Sequence, residues 1–473
     1  MNEKSFNRTV IVSVLLAASF VALLNQTLLI VAIPPIMGEF GIDPNQAQWV
    51  TTVFMLMNGI MIPITAFLIE KFSSKALLIS AISIFSLGTL IGAITPSFEI
   101  LLVARVIQAM GAGILMPLMQ TVMMTVFPPE RRGAAMGMSG LVIGFAPAIG
   151  PTLGGWIIDH FSWRFLFYTV FPITVVVLIL AFFLMKNVTD QKKVNVDFLS
   201  IILSSFGWGG LLYGFSMVGS VGWGNPVVFV SILVGAVTLV FFIIRQNRLE
   251  NPMLNFKVFQ SKEFTITTIL SVIMFALMIG IETLLPLYVQ NVRGGTALQS
   301  GMMLLPGAII TGAMSPIAGR MFDKFGAKGM AIIGFTFMLT ATILYMNIGI
   351  DTPILFITVI FSIKMLGISL LMTPLMTSGI NALSFELIPH GTAMANTIRM
   401  VGGSIGTAIL ISVMSTSGKG SAATNQATSM LDGIHAAFIV AGIMAFTGLI
   451  ISFFLTKKVG VQTTSAMSDS KAT

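Results

Sequence analysis

The 473 residues include no cysteine, which excludes disulfides and thiolate metal sites without fixing a redox compartment. Histidine is nearly as scarce: His160, His390 and His435 all fall near predicted loops, too few and too scattered for a His-based metal cluster. Charge is the third shortage. Only 9% of residues are charged against 56% hydrophobic, and the mean hydropathy is +0.97. A soluble globule of that composition has no interior large enough for its apolar surface, so the chain reads as an all-α polytopic membrane protein. No GxxxxGK[ST] phosphate loop is present, so ATP is not the direct energy source, and no nucleophile, base and orienting acid can be assembled. Neither an enzyme nor a cofactor is expected.

Long apolar runs fill the chain instead. A spanning helix needs about 20 apolar residues. Runs between polar breaks predict fourteen spans near 10–34, 48–69, 76–96, 99–127, 134–158, 164–185, 198–218, 226–244, 265–289, 300–321, 329–349, 353–380, 391–415 and 434–456. The first run is too long for a signal-peptide core and lacks a small-residue cleavage site, so it is expected to be retained.

With the N-terminus inside, nineteen Lys and Arg, from Lys4 and Arg8 to Lys457, Lys458 and Lys471, fall on the inner side, and only Arg164, Arg293 and Lys419 fall outside. The positive-inside rule then places both ends in the cytoplasm. The net charge of +8 belongs mainly to loops facing anionic lipid, and its dispersal among spans argues against nucleic-acid binding.

One polar turn occurs twice. Gly319-Arg320-Met321-Phe322-Asp323-Lys324-Phe325-Gly326-Ala327-Lys328 follows span ten, and its weaker twin, Ala66-Phe67-Leu68-Ile69-Glu70-Lys71-Phe72-Ser73-Ser74-Lys75, follows span two, 253 residues earlier (319 minus 66). Leu115-Met116-Pro117-Leu118-Met119 is echoed by Leu371-Met372-Thr373-Pro374-Leu375-Met376. Spans one to six therefore match spans nine to fourteen, giving residues 1–190 and 264–458 as six-span halves, 191–263 as an inserted pair with a linker, and 459–473 as a disordered cytoplasmic tail. The stretch from Arg245 to Phe264 mixes bases with aromatics, which suits an interfacial helix; a plain covalent linker fits equally.

Four ionisable residues lie inside the apolar runs: Arg105, Glu282, Lys364 and Arg399. Each would cost about 2.5–3.5 kcal/mol facing lipid at mid-bilayer, so each is expected to face a cavity or a partner. A carboxylate in such a place can exchange a proton as its surroundings change, which makes Glu282 the candidate carrier, with Arg105 and Lys364 as candidate modulators. A permanent ion pair of Glu282 with Arg105 or Lys364 is the structural alternative. Asn25 and Gln26 form a polar cluster in span one, Gln108 shares a helix face with Arg105, and Met116, Met119, Met123 and Gln120 form a stripe on span four. These are candidate cavity residues, although Met stripes also serve plain packing. In span five, Gly144 to Gly155 is dense in Gly and Pro, suiting a hinge or a seal.

The two turns, Arg105 to Gly113, Gly150-Pro151-Thr152-Leu153-Gly154-Gly155 and Leu24 to Pro34 together resemble the major facilitator superfamily over nearly the whole chain. Within it, the sequence resembles the fourteen-span drug:proton antiporters, and among them bacterial lincomycin-resistance-type multidrug exporters. The resemblance implies a cytoplasmic gate at Glu70, Lys71, Lys75, Asp323, Lys324 and Lys328, proton coupling at Arg105, and an antiporter motif at Gly144, Gly150, Pro151, Gly154 and Gly155. It also implies a cavity lined by spans one, four, nine and twelve.

Two departures stand out. Asn25 replaces the Asp common in the family, which shifts the proton role to Glu282. Ala66, Ser73 and Ser74 replace residues usual in the first gate turn, which makes the second copy the stronger gate contact.

The function expected from these readings is proton-coupled export of amphipathic or cationic drug-like compounds across a bacterial cytoplasmic membrane, with a monomer as the working unit. Export of one endogenous lipid, peptide or metabolite, and a non-transporting sensor or scaffold, are the alternatives.

Overall fold

The computed structural model describes residues 7–42, 44–189, 191, 197–419 and 426–456. The proposed tail and Lys192 and Lys193 lie outside the described residues. Of fifteen α-helices among the described residues, one, Ile33–Phe40, has eight residues, and the other fourteen have 19 to 32. At a rise of about 1.5 Å per residue each of these reaches across a hydrocarbon core. In order, spans one to six are Arg8–Leu28, Pro44–Lys71, Ser74–Ala93, Phe98–Val126, Arg132–His160 and Phe165–Leu184. Spans seven and eight are Phe198–Val221 and Pro226–Arg248. Spans nine to fourteen are Lys262–Leu287, Ala297–Phe325, Ala327–Tyr345, Ile354–Asn381, Ile388–Lys419 and Gln426–Ser452.

Two expected elements differ. The apolar run to Pro34 is broken: span one ends at Leu28, a 3₁₀ turn covers Leu29–Ala32, and the short helix begins at Ile33. Pro34 and Pro35 lack the N–H a continuing helix needs, but they fit the first turn of a new one. The stretch after span eight forms only a five-residue 3₁₀ turn, Phe256–Gln260, in place of the interfacial helix. Its apolar residues Met253, Leu254 and Val258 are buried in the bundle, and Gln246 Oε1 accepts from Leu254 N at 3.2 Å.

The repeat seen in sequence recurs as packing. Gly111 in span four and Gly367 in span twelve stand 256 residues apart (367 minus 111), and a Cβ at either would overlap a backbone carbonyl of the preceding span, Ala81 or Gly334. Small residues thus set the same close helix approach in each half. One large apolar cluster is built mainly from spans one to six and a second from spans nine to thirteen with span fourteen.

Spans five and ten join the halves along one seam, where Gly133, Gly137 and Gly144 face Gly319, Pro316 and Gly312. Spans two and thirteen close the opposite seam, and inserted span seven packs on both: a Cβ on Gly59 would meet Leu212 of span seven and Met400 of span thirteen.

Asp197 clamps the inserted pair. Arg245 donates to it twice, at 2.8 and 3.0 Å, and Ser200 Oγ donates at 2.6 Å. The Arg245 guanidinium, helped by Ser200 against the cost of burial, holds the Asp197 carboxyl at about 2. Because that value is depressed, the clamp's contribution is complete above the ordinary carboxylate value of about 4 and is lost as pH falls through about 2. Hydrogen-exchange protection of 198–248 is expected to fall over that window. Asp197→Asn should show the loss already at pH 6, and unchanged protection in the variant would remove the clamp from the account.

Candidate functional site

Each half holds one polar nest, at places related by the repeat. In the first half, Arg105 is fully buried among acceptors from three spans. Its NH1 donates to Asn25 Oδ1 at 2.8 Å and to Gln108 Oε1 at 2.9 Å, and its Nε donates to the Val50 carbonyl at 3.0 Å. The guanidinium lies 4.1 Å from the Phe54 ring centroid, and Gln108 Nε2 donates onward to Thr89 at 2.8 Å. Among the described residues no carboxylate takes part. A delocalised cation can be held this way because its planar fork meets several fixed acceptors at once and its face stacks on an aromatic ring.

In the second half, Lys364 Nζ lies 3.9 Å from Glu282 Oε1 and 3.4 Å from the Met278 carbonyl, with the Phe361 ring centroid at 4.6 Å. Lys364 is fully buried, whereas the Glu282 side chain is 30% exposed. Glu282 follows Asn25 by 257 residues (282 minus 25) and Lys364 follows Gln108 by 256 (364 minus 108), so the pairs are related by the repeat. The first span of a half is tied to the fourth by Arg105 donating to Asn25 in one half and by Lys364 beside Glu282 in the other. Of the two cations expected near Glu282, the fold brings only Lys364 to it, and Arg105 is engaged by Asn25, Gln108 and Val50.

The end of the bundle that carries the paired turns is shut. Asp323 of span ten accepts from the Gly133 and Ala134 N–H groups, both at 2.8 Å, at the start of span five. Unpaired N–H groups at a helix N-terminus favour a carboxylate there. Arg132 NH1 donates to Asn381 Oδ1 of span twelve at 2.9 Å, and Glu70 of span two lies 3.3 Å from His390 Nε2 of span thirteen. Further in, Asn396 of span thirteen donates to Gln120 Oε1 of span four at 2.6 Å. Every one of these contacts joins the two halves.

The match to a model of the Major Facilitator Superfamily covers residues 15–407. The chain belongs to that superfamily. Among the transporter's relatives, YcnB of Bacillus subtilis, an MFS-type transporter, is 58% identical, the match covering 97% of each chain. The lincomycin resistance protein LmrB of Listeria monocytogenes is 40% identical over 94% of this chain and 96% of its own. The probable multidrug resistance protein EmrY of Escherichia coli is 28% identical over 84% of this chain and 78% of its own. The fold is also that of the human organic anion transporter MFSD10, with a TM-score of 0.67, 13% identity, and 95% of this chain and 100% of that one covered. The protein is thus a multi-pass membrane transporter of a non-enzymatic family, with multidrug-resistance relatives.

The transporter's remaining expected residues spread out. Of the six gate residues only Glu70 and Asp323 cross between halves; Lys71 lies over the rings of Phe67 and Phe72, Lys75 over Phe182, Lys324 over Phe325, and Lys328 donates to the Phe453 carbonyl. In the span-five motif, Gly144 meets Gly312 of span ten, Gly150 meets Thr27 of span one, Gly154 meets Val31 of the 3₁₀ turn after it, and Gly155 faces open space. Pro151 lies within the helix. Met119 and Gln120 are buried, Met116 and Gln26 half-buried. Sequence reasoning missed His390, Asn381, Asn396 and the Gly133 and Ala134 amides. The first three are polar residues at or near the ends of apolar runs, a signal too common to single them out, and a backbone amide leaves no signal at all.

Proposed function

We propose that this transporter exports amphipathic toxic compounds across a bacterial cytoplasmic membrane in exchange for protons. The observation that carries the reading is Glu282: a partly exposed carboxylate in the last third of span nine, held by a fully buried Lys364 and, among the described residues, by no second cation. Substrate and proton compete through this group, so that loading one releases the other. The halves 1–190 and 264–458 rock against each other to give alternating access. The shut end corresponds to the cytoplasmic face, with both termini on that side, and the working unit is a monomer.

The lincomycin- and multidrug-resistance relatives support a drug-like substrate class. The test is transport in proteoliposomes under an imposed proton gradient, with a panel of cationic, neutral and anionic antibiotics and dyes. Accumulation of several members that collapses with the gradient is the expected result. Accumulation indifferent to the gradient would reject proton exchange, and movement of no member would reject drug export.

A further inference from the structure

Arg399 is a buried cation with no counter-ion among the described residues. It stands eleven residues into span thirteen, about 16 Å from the start of that helix and so about a third of the way along it. It is 8% exposed, and among the described residues no carboxylate forms an ion pair with it. Its NH2 donates to Asn396 Oδ1 at 2.6 Å, the Phe275 ring centroid lies 5.0 Å away, and Nε is buried with no partner. A guanidinium carries five N–H donors, so most of its capacity is unused. Arg105 is met by three acceptors and Lys364 by Glu282; Arg399 has neither arrangement.

Arg399 is one of the residues around a small cavity at the seam, lined also by Gln120, Gly140, Met372, Thr373 and Met376. Asn396, which holds Arg399, is the same residue that bonds to Gln120 across the halves. In the export reading the halves part at the Asp323 end, and the Asn396–Gln120 bond, which joins them, has to break for that to happen. An unpaired cation at this depth destabilises the empty protein, and an anion joining it removes the penalty. The neighbouring thioethers supply an adaptable apolar wall.

We propose that Arg399 is an anion subsite of the transport pathway, and that the molecules carried include apolar bodies bearing a carboxylate, phosphate or sulfonate group. This deepens the export reading and rests on it for the word pathway, but its binding test stands alone.

Three probes share one aromatic body and differ in charge: 1-pyrenebutyrate, 1-pyrenebutanol and 1-pyrenemethylammonium. Energy transfer from the five tryptophans to pyrene reports binding to the protein in nanodiscs, with empty nanodiscs subtracted. The wild type is expected to bind the butyrate about tenfold more tightly than the other two, and Arg399→Gln to lose about that factor for the butyrate alone. Arg399→Lys keeps the charge and should retain much of the preference despite losing the planar fork. Ligand-free Arg399→Gln should melt at a higher temperature than the wild type, because an uncompensated charge has been removed. Equal binding of all three probes by the wild type would overturn the subsite. So would a lower melting temperature in Arg399→Gln with all three probes weakened together, the signature of a purely structural arginine. Gradient-driven movement of the ammonium probe alone would likewise overturn the subsite and leave export standing. Selective loss of butyrate binding, with no probe moved under a gradient, would uphold the subsite while export failed.

Discussion

Glu282→Gln is expected to abolish gradient-driven accumulation while leaving substrate–substrate exchange across the same membrane intact. Glutamine keeps the shape of the side chain and a carbonyl oxygen for Lys364, and it cannot take up or give back a proton. With one proton exchanged per substrate, a two-unit pH gradient supports roughly hundredfold accumulation in the wild type and none in the variant. The amide leaves Lys364, fully buried, facing a neutral group, and some loss of thermal stability follows. Glu282→Gln/Lys364→Met removes both charges and should regain that stability without regaining coupling, which separates the proton role from the ion pair's structural one. Undiminished gradient-driven accumulation by Glu282→Gln would sink the assignment.

Asp323→Ala should shift the conformational balance toward opening at the end now shut. It deletes two charge-assisted hydrogen bonds to the start of span five, and even about 1.5–3 kcal/mol for the pair moves a two-state population roughly 10- to 100-fold. Gly319→Val acts in the same direction by sterics, since a side chain there overlaps the Gly133 carbonyl. The absence of native cysteine makes the measurement direct. Spin labels at Glu130→Cys and Glu386→Cys sit on exposed, repeat-related turns on opposite sides of the seam. Their separation should lengthen in both variants, with slower transport because closure at this end becomes the difficult step. An unchanged distance distribution in Asp323→Ala would show that the contact does not hold the end shut.

The doubled turn was legible because charges stand out in an apolar chain, and Asn25, Arg105, Glu282 and Lys364 stood out for the same reason. Their pairing was less so. Helical period says which residues share a face, but the rotation of each span decides whom that face meets, and it turned Arg105 toward Asn25, Gln108 and Val50. The Glu70–His390 contact joins residues 320 positions apart (390 minus 70), and Asp323 meets backbone amides, a partner every residue but proline could offer. The break after Leu28 was readable from Pro34-Pro35, where apolar content alone argued for continuity.

Proton release on substrate binding reports whether Glu282 gives up its proton to the substrate. Purified protein in weakly buffered detergent is titrated with a compound it transports, and the pH change is compared for the wild type and Glu282→Gln at equal saturation. Release of up to about one proton per bound molecule is expected from the wild type and none from the variant, which still binds. Equal release from both proteins would contradict this, because the proton would then leave from a group other than Glu282.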